Sequence, residues 1–254
     1  MKDSKSLLYQ ILNIVGFVLT IIVNSLANII PLGGRNTGEI SDLYSNLFTP
    51  AAYVFSIWGV IYILLGIFTV YQALPRNREK EFLGKITYLF LLISVANISW
   101  IFAWHYGQIY ISLVVMIILL IALILTYIRL DEGKSKASTT EKLAVNLPFS
   151  VYFGWITVAT VANVTAVLVA ANWNRFGLTE EFWTFLILIV VVIITSLVIL
   201  TKKDLPYGLV IVWATGGIIY KNLANQFLVA TGIISIIFIL IVYTLRVVID
   251  NKSE

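Results

Sequence analysis

Tryptophan and asparagine at helical spacing are the residues of this 254-residue chain whose types could do chemistry. Plotted at about 100° per residue, Asn97, Trp100 and Trp104 fall within roughly a 60° arc, and Trp155 and Asn163 lie about 80° apart with Ala159 between them. Each set offers an indole N–H, a carboxamide and a broad apolar surface, which is what a flat hydrophobic ligand with a few polar edges requires. Trp58, Trp100 and Trp155 lie deep in apolar stretches or beside other polar groups. Trp104 and Trp173 stand near the ends of such stretches, where an interfacial aromatic belt accounts for them. Asn13, Thr20, Asn24 and Asn28 share one face within about 80°, with Gly16 and Ala27 beside them; amides and small residues in that pattern join helices in lipid.

Catalysis has little to stand on. The chain has no cysteine, which removes thiol catalysis and Cys-ligated metal sites. The lone His105, beside Trp104, reads as an interfacial polar residue rather than a haem ligand or a base. No ionisable residue occupies the interior of an apolar stretch, and proton pumping, voltage sensing and ion transport normally need such groups. No enzyme activity, metal or cofactor is expected.

The elements that position these residues are set by composition. Apolar residues make up 60% of the chain and charged residues 12%, a balance suited to lipid and not to water. A bilayer core about 30 Å thick takes roughly 20 apolar residues at 1.5 Å rise, and such windows occur at 7–30, 51–73, 86–104, 109–127, 143–171, 182–200, 205–220 and 227–248. Backbone groups in hydrocarbon must pair within the segment, so these runs predict helices and not barrel strands. The seventh is the weakest, being short and containing Thr215, Gly216 and Gly217. The first is too long for a signal-peptide core and reads as an uncleaved anchor.

Basic residues test the count independently. If the N-terminus, every second loop and the C-terminus share one side, that side holds fourteen of the seventeen Lys and Arg, leaving only Arg35, Arg175 and Lys221 opposite. Such a bias predicts eight spans with both termini cytoplasmic. The charges sit in short loops, so the net charge of +4 points to topology and lipid headgroups and not to nucleic acid. Segment 131–141 is a plain solvated turn. Segment 31–50 is long for a compact bundle, and Leu43, Tyr44, Leu47 and Phe48 predict that it folds back as a lid.

Three stretches carry a resemblance. Pro50, Tyr53, Val54, Phe55, Trp58, Tyr62 and Gly66 follow a P-x-x-W-V-F…W-x-x-x-Y-x-x-x-G pattern; Asn97 and Trp100 match N-x-x-W; Trp155, Thr157, Ala159, Thr160 and Asn163 match W-x-S-x-A-T-x-x-N. In these the chain resembles the tryptophan-rich sensory protein and translocator protein (TspO/MBR) family, with Tyr53 where the family usually has Trp. The resemblance covers residues 7–173. It implies a five-helix bundle with a cavity under the long loop that binds porphyrins and other hydrophobic molecules. Residues 174–254 then supply three additional helices, making an enlarged relative.

The expectation is an all-α, polytopic membrane bundle of about eight helices whose first five are TspO-like. Its work would be to bind, sense or pass a planar hydrophobic molecule, porphyrin-like or lipid-like. Trp58, Trp100 and Trp155 would stack on it, and Asn97, Asn163 and Tyr62 would bond its edges. Two other readings stay open: a secondary transporter using the asparagine seam and the glycines of the seventh span, and a porphyrin-degrading membrane enzyme. Membrane lipids are expected partners, and homodimer formation is left open.

Overall fold

Apolar runs leave the backbone no partner but itself, and in the computed structural model, which describes residues 2–134 and 136–253, all regular structure is helical. Ser135 of the 131–141 turn and Glu254 lie outside the described residues, as do the side chains of Lys2 and Lys252 among the fourteen basic residues. The helices are α1 (Lys2–Ile29), α2 (Thr37–Leu43), α3 (Ile57–Ala73), α4 (Glu81–Ile86), α5 (Leu89–His105), α6 (Ile109–Lys134), α7 (Thr139–Glu141), α8 (Leu147–Ala170), α9 (Glu180–Lys202), α10 (Leu205–Lys221) and α11 (Gln226–Ser253). Six helices are long and apolar enough to cross a membrane, and α5 and α10 are shorter apolar helices. At 17 residues each, these two reach about 25 Å. The protein is a multi-pass membrane protein.

Polar caps mark where the chain turns. Asn36 and Glu39 form a reciprocal capping box on α2, Thr179 caps α9, and Asp204 caps α10 with Pro206 in its first turn; each satisfies N–H groups that the first helical turn leaves unpaired. The third span starts later than its apolar run suggests. Ile86 closes α4, and Thr87, at φ 49°, breaks the helix before α5 begins at Leu89.

Helices α1, α3, α8, α6 and α5 pack each on the next, and α5 returns to α1, closing a five-membered ring. Helices α9, α10 and α11 pack on one another, and α10 docks them onto α8. Close approach there depends on Gly154, where a Cβ would stand 3.1 Å from the Tyr207 carbonyl oxygen and from Val210 Cβ. At the α10 N-terminal end of this seam the buried Asp204 carboxylate accepts bonds from Tyr127 Oη (2.7 Å), Ser150 Oγ and the Tyr207 amide (3.2 Å).

Two residues of the asparagine seam of α1 join it to neighbouring helices, and the others bond within α1 or to the loop. Asn24 donates to Asn97 of α5 at 2.7 Å, Asn13 reaches Gln72 of α3 at 3.5 Å, and Thr20 bonds back to the Gly16 carbonyl. Helix α10 runs unbroken through Thr215–Gly217. The two features on which a transport path would rest are therefore a packed interface and a continuous helix.

Because the basic residues favour one side by 14 to 3, reporter fusions near Arg78 and at the C-terminus should score cytoplasmic, and one at Glu39 external. A C-terminal reporter on the external side would show that α10 or α11 does not cross.

Candidate functional site

Four of the six residues picked out from the sequence meet at one place. Trp58 of α3, Trp100 of α5, and Trp155 and Asn163 of α8 line a single void together with Phe55 and Trp104. Ser41 and Pro50 roof it from the loop, and Val158, Ala159 and Ala162 form the α8 floor. The rings pack edge to face, Trp155 standing 5.8 Å from Phe55 and 6.1 Å from Trp58, while Trp100 stacks on Trp104 at 5.5 Å. None of the lining side chains is an acid, a base or a thiol. The void measures about 30 Å³, room for water but not for a ligand of several rings.

Asn97 and Tyr62 are not part of the lining. Asn97 is fully buried between α1 and α8, accepting from Asn24 and donating to Tyr152 Oη at 3.0 Å. Tyr62 stacks behind Trp58 at 5.5 Å, and its buried hydroxyl has no partner. Asn163 does face the void, but its amide is already used: Oδ1 accepts from Trp100 Nε1 at 3.0 Å and Nδ2 donates to Ser112 Oγ at 3.1 Å. The free donor is Trp155. Its ring is 2% exposed and its Nε1 has no hydrogen-bond partner, a costly arrangement for a buried N–H.

Trp104 departs from its expected place in the aromatic belt. It is 5% exposed, lines the void and donates to the Thr37 carbonyl at 3.2 Å. The arc shared with Asn97 and Trp100 pointed to this, and a position near the span end pointed the other way. Ser41 sits on the two-turn helix α2, Phe55 in a 3-10 turn at Ala52–Ser56 and Pro50 in the loop before it, and none of these is an extended apolar run from which a facing direction could be read. His105 is a strut for the loop, with Nδ1 3.0 Å from the Leu32 carbonyl oxygen and Nε2 3.2 Å from Thr37 Oγ1. A donating Nδ1–H and an accepting Nε2 satisfy both contacts.

The loop does fold back, and the C-terminal helices grip it. Glu180 of α9 accepts from the Leu47 amide at 2.7 Å, Asn222 after α10 donates to the Leu47 carbonyl at 3.0 Å, and Lys221 pairs with Asp42 at 3.0 Å. Helix α10 also holds the pocket wall: Trp213 Nε1 donates to the Val54 carbonyl at 3.1 Å, and the Ala51 amide donates to the Gly217 carbonyl at 3.2 Å. Gly217 admits Pro50 and Val54 where a Cβ would overlap them. Freeing Leu47 by combining Glu180→Ala with Asn222→Ala removes two bonds worth about 1 kcal/mol or more each. Tryptic cleavage at the exposed Arg35 should accelerate roughly tenfold or more; an unchanged rate would show that the loop is held elsewhere.

A family model described as TSPO-like protein matches residues 10–246. The chain belongs to that family. The match to TSPO-like proteins runs past residue 173 through α9 and α10 and into α11, so it includes the three helices that the sequence motifs set apart. No curated protein and no solved structure matches the chain. Among the described residues no cluster of three or more His, Asp or Glu could hold a metal ion.

Proposed function

We propose that this TSPO-like protein binds a flat hydrophobic molecule of the tetrapyrrole kind in the aromatic pocket beneath the loop. The observation that carries the reading is the buried Trp155 N–H without a partner, set in a lining of Phe55, Trp58, Trp100 and Trp104. An acceptor on the ligand edge would pair that donor, and the rings would stack on the ligand faces. Sites for small molecules measure about 300–1,000 Å³, far above the present void, so admission requires the loop and the Pro50–Trp58 wall to part. The loop is thus the lid of a closed pocket, and the C-terminal helices set how readily it opens. With no titratable side chain in the lining, the pocket serves to hold or pass the molecule rather than transform it.

Titration of the purified protein with protoporphyrin IX, read by tryptophan fluorescence, tests this. Saturable quenching whose affinity is unchanged in Trp173→Phe, a residue outside the pocket lining, supports the pocket. Quenching that stays linear in added porphyrin reports partition into detergent and removes the reading. Asn163→Leu should weaken binding only about threefold, since a polar contact in a membrane bundle averages about 0.6 kcal/mol.

A further inference from the structure

The largest opening on the loop side lies outside the aromatic pocket. Between the end of α8 and the start of α9 an open-sided chamber of about 530 Å³ is bordered on its third side by Asn46 and Phe48 of the loop. Its volume falls in the range of small-molecule sites, about 300–1,000 Å³. Val164, Leu168 and Ile187 give it an apolar wall, and Trp173, Trp183, Arg175 and Glu180 stand around it. The two indoles pack at 4.9 Å, and Trp183 Nε1 is tied to the Arg175 carbonyl at 2.9 Å.

The two charges are not equivalent. Glu180 spends one carboxylate oxygen on the Leu47 amide at 2.7 Å, so it is pinned to the loop. Arg175 faces the other oxygen at 3.6 Å with its side chain 48% exposed, longer than a charge-assisted bond of about 2.7–2.9 Å. Its guanidinium, with five donors in a fork that fits a carboxylate, keeps most of them for another partner. Arg175 is also one of only three basic residues on a side that the topology bias leaves poor in them.

We infer that this chamber binds a single-chain carboxylate amphiphile of the fatty-acid type, with its chain against Val164, Leu168 and Ile187 and its headgroup held by Arg175. An apolar wall running into a mouth of two indoles and a cation matches a molecule with one apolar chain and one anionic end. The volume suits one acyl chain better than a diacyl lipid. The site is independent of the aromatic pocket, since none of its lining residues is shared with that pocket.

Dibromostearic acid, whose bromines quench indoles on contact, is the probe, added to the full chain in uncharged detergent. A Trp213→Phe background removes the indole of the lipid-facing groove between α3 and α10. Saturable quenching is expected, weakened about tenfold or more in Arg175→Gln because a hydrogen bond to a charged group is lost. Dibromostearyl alcohol should bind weakly by a similar factor. Leu168→Trp, which fills the chamber, should abolish saturation while the protein stays monodisperse, and Trp155→Phe should leave the titration unchanged. Equal binding of acid and alcohol, an unaffected Arg175→Gln, or saturable quenching that survives removal of both Trp173 and Trp183 would each overturn the inference.

Discussion

Trp155→Ala is expected to weaken protoporphyrin binding at least about tenfold, from lost stacking of roughly 0.5–1.5 kcal/mol plus apolar contact at about 25 cal/mol per Å². The same truncation empties a buried site and should cost about 3–5 kcal/mol of stability, so it cannot stand alone. Trp155→Phe separates the two effects. It keeps an aromatic ring but deletes an N–H that has no partner in the structure, and an unpaired buried donor costs about 1–3 kcal/mol. Stability should therefore hold or rise, while affinity falls severalfold because the ligand loses its donor. Thermal unfolding and fluorescence titration on the same sample measure both. A Phe variant that is destabilised and binds normally would mean that the indole N–H serves the fold.

Asp204→Ala should be strongly damaging where α10 meets α6 and α8, lowering stability by about 3 kcal/mol. It removes the cap of α10, worth about 0.5–2 kcal/mol, and strands the hydroxyls of Tyr127 and Ser150, which now donate to the carboxylate, at about 1–3 kcal/mol each. Asp204→Asn should cost less, since one oxygen remains to cap the helix and accept one hydroxyl. Because the Asp204 seam joins α10 to α6 and α8, the alanine variant should also loosen the grip of α10 on the pocket wall. Accelerated cleavage at Arg35 would report that, and stability loss below about 1 kcal/mol would show that water replaces the carboxylate.

How far the sequence reached is set by where periodicity applies. The eight apolar segments were legible because a bilayer imposes a length and a composition on each, but their ends were not: α6 runs on from 127 to Lys134 and α11 to Ser253, while the third starts late, after the break at Thr87. Trp100, Trp155 and Asn163 were legible because a helix fixes the direction of each side chain. Asn97 shares the arc of Trp100, yet it lies deeper, at the level of Asn24 and Tyr152, and an angle alone does not say which neighbour waits there. Tyr62 follows Trp58 by one turn and so stacks on it rather than reaching the void. Ser41 is on a helix of only two turns and Phe55 in a 3-10 turn, where the 100° step does not hold, and Pro50 is in the loop. The chamber beside Trp183 is formed between α8, α9 and a loop far from both in sequence, and Trp183 by itself reads as one more aromatic at a span end.

The most direct test of the aromatic pocket is to let a bound porphyrin mark its own surroundings. Protoporphyrin IX at substoichiometric amounts, irradiated briefly with the protein and followed by peptide mapping, oxidises the indoles nearest to it. Oxidation concentrated on Trp58, Trp100, Trp104 and Trp155, and suppressed by excess iron protoporphyrin, is the result expected of a ligand beneath the loop. Oxidation centred on Trp173 and Trp183, or spread evenly over all seven tryptophans, would contradict it.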